Sequence, residues 1–374
     1  MLRETTLTTA AARLAHLFFD MRGRRSFTTP KKALILKPCC VSQVMLTTPL
    51  LAVLNEAYPD TQFDWAVSQW ARPAVAGNPR ITELIPAGEA GLSGANRSEL
   101  RAFIERVRAE AYDTCIVPSR SSWLAYVAWR AGIPQRIGLD VNGRGFSHTM
   151  PIQPIPEVHH EAEIYLSLAY GLHIDPQLIV QRGRMEFYPP DQARTAVTAR
   201  LVEEVDWLGD VPLAVLHPGG GHNPLVTDEQ KRWPLTRFAR LGNYLARRHG
   251  ARVVLVGAKS DRTVATALAG MMSQPVTDLT GTVSLGEVGA LCEVADLYVG
   301  NDAGPTHIAA ATGCPTLAIF GPSDPRLSGP FAPQGRVISL ASETAVSTPF
   351  TWDDGVSVEE AIAAADRLLA KETA

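Results

Sequence analysis

The 374-residue chain is poor in the motifs that usually announce a function. It has five cysteines, at positions 39, 40, 115, 292 and 314, with no C-x-x-C pair and no Cys/His metal spacing. An odd, scattered set of this kind predicts reduced thiols and a cytoplasmic setting. No run approaches the ~18 apolar residues of a membrane span. The N-terminus lacks the basic start and long apolar stretch of a signal peptide. Charge of one sign is also missing: the net charge is −3, so no basic field points to nucleic acid. The absence of G-x-x-x-x-G-K-[ST] argues against an ATPase, and that of G-x-G-x-x-G against a dehydrogenase. There is no G-x-S-x-G elbow, no 20–50-residue repeat and no low-complexity linker. "WDDG", Trp352 to Gly355, follows no clear strand, so Asp353 and Asp354 read as a loop or helix cap and no metal site is expected.

What is present is alternation. Apolar residues make up 46% of the chain and charged ones 20%, the balance of a globular protein too long for one core. Buried-strand runs such as "KALILK", "QFDWAVS", "YDTCIVP", "ARVVLVGA", "DLYVGND" and "PTLAIFGP" alternate with helical segments. Helices are expected over 44–57, 98–110 and 158–171, in "WPLTRFARLGNYLARRHG", and in "SLGEVGALCEVA", where Ser284 and Glu287 have capping-box spacing. Such a series in both halves predicts two α/β domains with parallel sheets, facing a cleft lined by loops at the carboxyl ends of strands. The expected divisions are a helical leader over 1–30, domains over 31–185 and 186–355, and a last helical segment over 356–374. In the leader, Leu14, Leu17, Phe18 and Met21 share a helical face followed by Arg22, Arg24 and Arg25. Residues 1–32 carry seven Lys/Arg against two Asp/Glu. Residues 10–26 therefore read either as a helix packed on its own domain or as a weak contact with a membrane surface.

Three strand-to-helix loops could carry chemistry. "HPGGGHNPLVTDEQKRWP" ends a strand in Gly219, Gly220 and Gly221, whose bare backbone can approach an anion, with Lys231 as compensating cation. "GNDAGPTHIAAATGCP" places Asp302 before a helix start at Ala303, Gly304 and Pro305, suited to a pyrophosphate, with His307 one turn in. In "LVGAKSDR", Asp261 begins a helix where a carboxylate can take ribose hydroxyls. Each also has a plain reading: a flexible loop, an N-cap, a satisfied histidine. Two loops at the matching edge of one sheet favour a nucleotide site.

These segments, with "KPCCVSQVMLTTPLLAVLNEAYPDTQFDWAVS" and "NPRITELIP", resemble glycosyltransferase family 9, the ADP-heptose:lipopolysaccharide heptosyltransferase family, in the right order from about residue 31 to 330. The resemblance implies the GT-B fold and inverting transfer of a heptose-like sugar without metal or cofactor. The donor is a nucleoside-diphosphate sugar, ADP favoured, and the acceptor a cell-envelope glycan or glycolipid. It implies that Lys231 contacts the donor phosphates and sugar, with Gly219 and Gly220 alongside. Asp302 holds sugar hydroxyls, and the backbone of Ala303, Gly304 and Pro305 binds the pyrophosphate. Asp261 falls at the ribose acid and Val283 against the base. Arg120 and Arg144 lie in loops that could hold an anionic acceptor, or are solvated surface arginines. The last helix is expected to cross back to the first domain.

The departure is at position 43. Family members read "GD" after the first strand, the Asp being the proposed general base, whereas this chain has Ser42-Gln43. A Gln amide orients by hydrogen bonding and does not take a proton near neutral pH. Asp140, His148 or a carboxylate on the acceptor could supply the base, or leaving-group departure could dominate. A silent nucleotide-sugar-binding protein is the alternative, and a sugar-nucleotide epimerase a further one for which paired acids are lacking.

Overall fold

A computed structural model describes residues 6–20, 26–92, 95–224, 226–333, 335–342 and 350–370. The chain divides into two compact units, Met1–Arg184 and Met185–Ala374.

The first unit runs α1 (Thr6–Asp20), β1 (Lys32–Leu36), α2 (Val41–Met45), α3 (Thr48–Ala57), β2 (Gln62–Val67), β3 (Leu84–Pro86), α4 (Arg97–Ala109) and β4 (Thr114–Val117). It continues with α5 (Ser122–Arg130), β5 (Gln135–Leu139), β6 (Met150–Ile152), α6 (Glu161–Gly171) and α7 (Pro176–Arg182). Its six strands are all parallel, in the order β3-β2-β1-β4-β5-β6. Central strands buried on both faces need apolar side chains in both directions, which is why "ALIL" does not alternate. The order turns outward in both directions from the β1–β4 neighbours, the point where open α/β sheets place ligands.

The single helix expected over 44–57 is two helices. Pro49, in the first turn of α3, has no N–H to continue a ladder from α2. The hydroxyls of Thr47 and Thr48 donate instead to the carbonyls of Gln43 and Met45. Two short elements, β6 and α7, were not expected. The leader is part of this unit: the Phe19 ring lies edge-on to Trp129 and Phe146, and His16 Nε2 is 3.1 Å from Asp140 Oδ2. Leu14 and Leu17 point the other way, 71% and 66% exposed. The side chain of Phe18, and Met21, Arg22, Arg24 and Arg25, lie outside the described residues. The expectation of five reduced cysteines is also corrected. Cys39 and Cys40 are joined as a disulfide, and the other three are buried thiols.

The second unit runs α8 (Asp191–Glu203), β7 (Leu213–His217), β8 (His222–Asn223), β9 (Val226–Thr227), α9 (Leu235–His249), β10 (Arg252–Leu255), α10 (Arg262–Met271) and β11 (Thr277–Asp278). It continues with α11 (Leu285–Val294), β12 (Leu297–Asn301), α12 (Gly304–Ala311), β13 (Thr316–Phe320), α13 (Pro325–Ser328), β14 (Val337–Ala341) and α14 (Val358–Ala370). Its sheet repeats the first topology, β11-β10-β7-β12-β13-β14, all parallel. β8 and β9 form a small antiparallel hairpin in the loop after β7. Ser284 caps α11 with Glu287 closing the capping box, and Gly250 ends α9 at φ 67. Asp191 is the first helical residue of α8, after Pro190 at the N-cap.

The last helix packs on the second unit. Val358, Ala361, Ala364, Ala365 and Leu368 of α14 are buried in one cluster with Leu216, Trp233, Phe238 and Leu245 of the second unit. The small residues allow close approach to α9, and Arg240 pairs with Glu359 across the same seam at 2.8 Å. No helix among the described residues is long and apolar enough to cross a membrane.

Leu368 is 2% exposed, so Leu368→Ala should lower unfolding stability by about 2–4 kcal/mol in urea melts. An unchanged midpoint would contradict the packing of α14 on the second unit.

Candidate active site

The loops predicted to carry chemistry converge at the carboxyl end of the second sheet, where β7 and β12 are neighbours. The buried Asn301 side chain ties them together. Its Nδ2 donates to the carbonyls of Pro218 and Gly219, and its Oδ1 accepts from the Trp233 N–H at 2.9 Å. The glycine loop, the Lys231–Pro234 segment and the end of β12 are thus held by one carboxamide.

The next residue carries the charge. Asp302 Oδ2 lies 2.6 Å from Lys231 Nζ and accepts from the Ser323 hydroxyl at 2.6 Å. Asp302 is 9% exposed and the Lys231 side chain 30% exposed, so the pair is half-open, with the lysine on the outer side. Arg232 donates from Nε to the Gly220 carbonyl at 2.9 Å, fixing the loop from below. Ala303 is the N-cap of α12 in an extended conformation. Gly304 and Pro305 form its first turn. Pro305 has no N–H, so the donors at this helix start belong to Ala303 and Gly304, and Pro305 contributes its preset φ. This narrows the three-residue backbone site expected from sequence. His307, one turn in, is buried.

The glycines are required by contact. A Cβ on Gly219 would stand 2.3 Å from the Asp261 carboxyl carbon, and one on Gly220 2.9 Å from Ala303 Cβ. Gly220 adopts φ 99, in the left-handed region. Asp261, expected at the ribose, is the N-cap of α10. It is 4% exposed and its carboxylate is turned into the protein, accepting from Ala258 N–H at 2.9 Å and Gly220 N–H at 3.4 Å, beside His217. Burial raises its pKa, but hydrogen bonding to His217 and to these two N–H groups outweighs that and leaves it below the usual carboxylate value. In this geometry Asp261 holds the loop. Val283 is half-buried against the second unit's other core layer.

In the first unit, the predicted residues lie at the equivalent carboxyl edge. Gln43 is half-exposed at the start of α2. Its Oε1 accepts from the Tyr165 hydroxyl in a short contact and from Lys37 Nζ at 3.3 Å. Lys37 is 4% exposed; burial, then the nearby Arg120, lower its pKa to about 7. Arg120 forms a close ion pair with Glu161. Arg144 sits in the turn after β5, where the Asp140 carboxylate accepts from Gly145 N–H at 2.8 Å. The two alternative bases are thereby weakened. Asp140 is occupied by that turn and by His16. His148, wedged against Gly138 and Gly145, is pushed down to about 3 by burial and then by Arg136. Among the described residues no group of three or more His, Cys, Asp or Glu is placed to hold a metal ion.

Sequence reading missed Asn301, Ser323, Arg232, Lys37 and Tyr165. Asn301 and Lys37 were visible as polar residues ending apolar strands. Tyr165 lies in a helix of mostly apolar residues and gave no signal.

A family model described as "Glycosyltransferase family 9 (heptosyltransferase)" matches residues 100–348. The chain is similar to lipopolysaccharide heptosyltransferase 2 of Escherichia coli K12, 27% identical over 320 residues, covering 83% of this chain and 88% of that protein. It is 29% identical to lipopolysaccharide heptosyltransferase 3 of Escherichia coli over 298 residues, covering 75% and 81%. Among solved structures, a glycosyl transferase family 9 protein from Veillonella parvula superposes with a TM-score of 0.77 at 22% identity, covering 91% of this chain and 97% of that one. E. coli ADP-heptose LPS heptosyltransferase II gives 0.71 at 22% identity, covering 92% and 100%.

Asn301→Ala leaves a buried N–H and two carbonyls without their partner. At about 1–3 kcal/mol for an orphaned buried group, stability should fall by roughly 3 kcal/mol in denaturant melts, whereas Ser323→Ala should cost about 1 kcal/mol. Equal small effects would refute the carboxamide as the tie between the loops.

Proposed function

The chain belongs to glycosyltransferase family 9 and is a glycosyltransferase of the GT-B fold, and on that premise we propose that it moves a heptose-like sugar from an ADP-sugar to a lipopolysaccharide-type glycolipid acceptor, with inversion and without a metal. The observation that carries this is the Lys231–Asp302 pair at the β7–β12 switch point, between a glycine loop and a helix start. A departing diphosphate develops negative charge, and a cation with backbone N–H donors can meet it in the place of a divalent ion. In this reading Lys231 swings from Asp302 onto the phosphates, with Ala303 and Gly304 N–H on the pyrophosphate. Asp302, held by Ser323, turns its freed oxygen to sugar hydroxyls. Gly219 and Gly220 leave room for the anion, Val283 borders the base, and His307 backs the helix start. Arg120 and Arg144 contribute positive charge toward an anionic acceptor.

The setting we propose is cytoplasmic, at the inner face of the membrane that holds a lipid-linked acceptor. Support comes from Leu14 and Leu17, adjacent on the exposed side of α1 while Phe19 faces inward. Burying two leucines in a bilayer surface is worth a few kcal/mol at most, enough for reversible contact. Leu14→Glu with Leu17→Glu should reduce flotation with anionic vesicles and leave transfer to a soluble acceptor unchanged. Equal flotation would remove the membrane contact.

Lys231→Ala and Asp302→Ala should each lower kcat/KM at least tenfold, about 1.4 kcal/mol. Because the two side chains touch, the double variant should lose less than the product of the single losses. Calorimetry with ADP- and UDP-sugars, run beside a product assay, tests the whole reading. Binding without turnover on any acceptor would return the silent nucleotide-sugar binder that Gln43 raises, and no binding would overturn both.

A further inference from the structure

We propose that Lys37, acting through the Tyr165 hydroxyl, takes the proton from the acceptor hydroxyl during transfer. The inference rests on the transferase reading above and supplies the base that Gln43 does not.

Lys37 directly follows β1 and Pro118 directly follows β4, the two strands that meet at the switch point of the first sheet. The Lys37 Nζ lies 2.7 Å from Tyr165 Oη, 3.0 Å from the Pro118 carbonyl and 3.3 Å from Gln43 Oε1, over the Tyr165 ring at 4.0 Å. Trp65 Nε1 donates to the Lys37 carbonyl at 3.0 Å and holds its backbone. The Tyr165 hydroxyl, from α6, donates to Gln43 Oε1. A hydrogen-bonded chain therefore runs from half-exposed Gln43 through Tyr165 to the buried amine. The charged groups around it are Arg120, beyond β4, and Glu161, on α6 one turn before Tyr165. Glu161 is engaged by Arg120, and no carboxylate is hydrogen-bonded to the amine among the described residues. A lysine so placed is readily available as a neutral amine near pH 7, a setting in which lysine serves as a base.

In the step we assign, the acceptor hydroxyl takes the place of Gln43 Oε1 against Tyr165. Its oxygen forms the bond to the anomeric carbon while the bond from that carbon to the diphosphate oxygen breaks, the electron pair leaving with the nucleoside diphosphate. The acceptor proton passes to Tyr165 Oη as Tyr165 hands its own proton to neutral Lys37, which ends as the ammonium. The proton returns to solvent when the product leaves and Gln43 closes again.

Four measurements test this, the first three using ADP-heptose and a truncated lipopolysaccharide core. Lys37→Met and Tyr165→Phe should each lower kcat by about a hundredfold or more, with ADP affinity unchanged by calorimetry. Wild-type kcat should climb about tenfold per pH unit below about 7 and level off above it, and the rise should vanish in Lys37→Met. Lys37→Met combined with Gln43→Asp should recover at least tenfold over Lys37→Met, because a carboxylate at the open end of the chain can take the proton directly. That rescue is not expected of a structural lysine. The chain has six lysines, so a carbon-13 lysine spectrum of the wild-type protein shows, with no variant needed, whether one of them titrates apart from the rest. Titration near 7 is expected. Titration near 10, or a Lys37→Met variant with wild-type kcat and pH profile, overturns the proposal alone. A wild-type protein that transfers nothing overturns it together with the transferase reading.

Discussion

The second unit depends on one carboxamide. Asn301 ends an apolar strand, and its two donors and one acceptor are taken by three backbone groups from two other segments. Each of those groups is buried at the end of a strand or the start of a helix, where the ladder no longer supplies a partner. Asn301 is the side chain that matches them all, because an amide both donates and accepts. With the backbone fixed, Asp302 emerges at a defined angle, meets Lys231 and Ser323, and leaves the N-cap of α12 extended behind it. Asp261 does the same from below for the glycine loop. Its ionised form is favoured by the N–H groups that it holds, so its charge and the loop's shape depend on each other.

The first unit solves the same edge differently. Lys37 occupies the position after its central strand, and it bridges to the strand beside it through the Pro118 carbonyl. A cation there must be desolvated, and among the described residues no carboxylate is hydrogen-bonded to it. The balance that results is chemical as well as structural, since the amine is held by three acceptors yet loses much of its preference for the proton.

The fold was legible because its signals were local. Apolar runs bounded by glycine and proline marked the strands, and Gly250 and Ser284 marked helix ends whose chemistry is set within four residues. That Lys231, Asp302 and the glycine loop come together was legible because their segments stand between strands and helices in a recognisable order. What could not be read depends on distance in sequence. The hydrogen bond that Asp261 accepts from Gly220 N–H joins it to a loop 41 residues earlier. The side on which α14 packs was set by an apolar stripe that fits any matching surface, and only the tertiary arrangement says which. The engagement of Asp140 by His16 joins residues 124 apart in the chain.

Gln43 then reads less as a lost acid than as one half of an exchange. An ionised carboxylate in its place, about 3 Å from Lys37, would attract the ammonium and hold it protonated, since an opposite charge at that range raises a lysine's pKa. The two groups would neutralise each other, and the carboxylate would be the base only by giving up part of its pairing. An amide carries no charge. It satisfies the lysine's hydrogen bond at its oxygen while leaving burial and Arg120 free to push the proton off. A buried lysine beside a glutamine and a buried lysine beside an aspartate therefore differ in which partner is the available base. With an amide at position 43, the base we assign in this chain is Lys37.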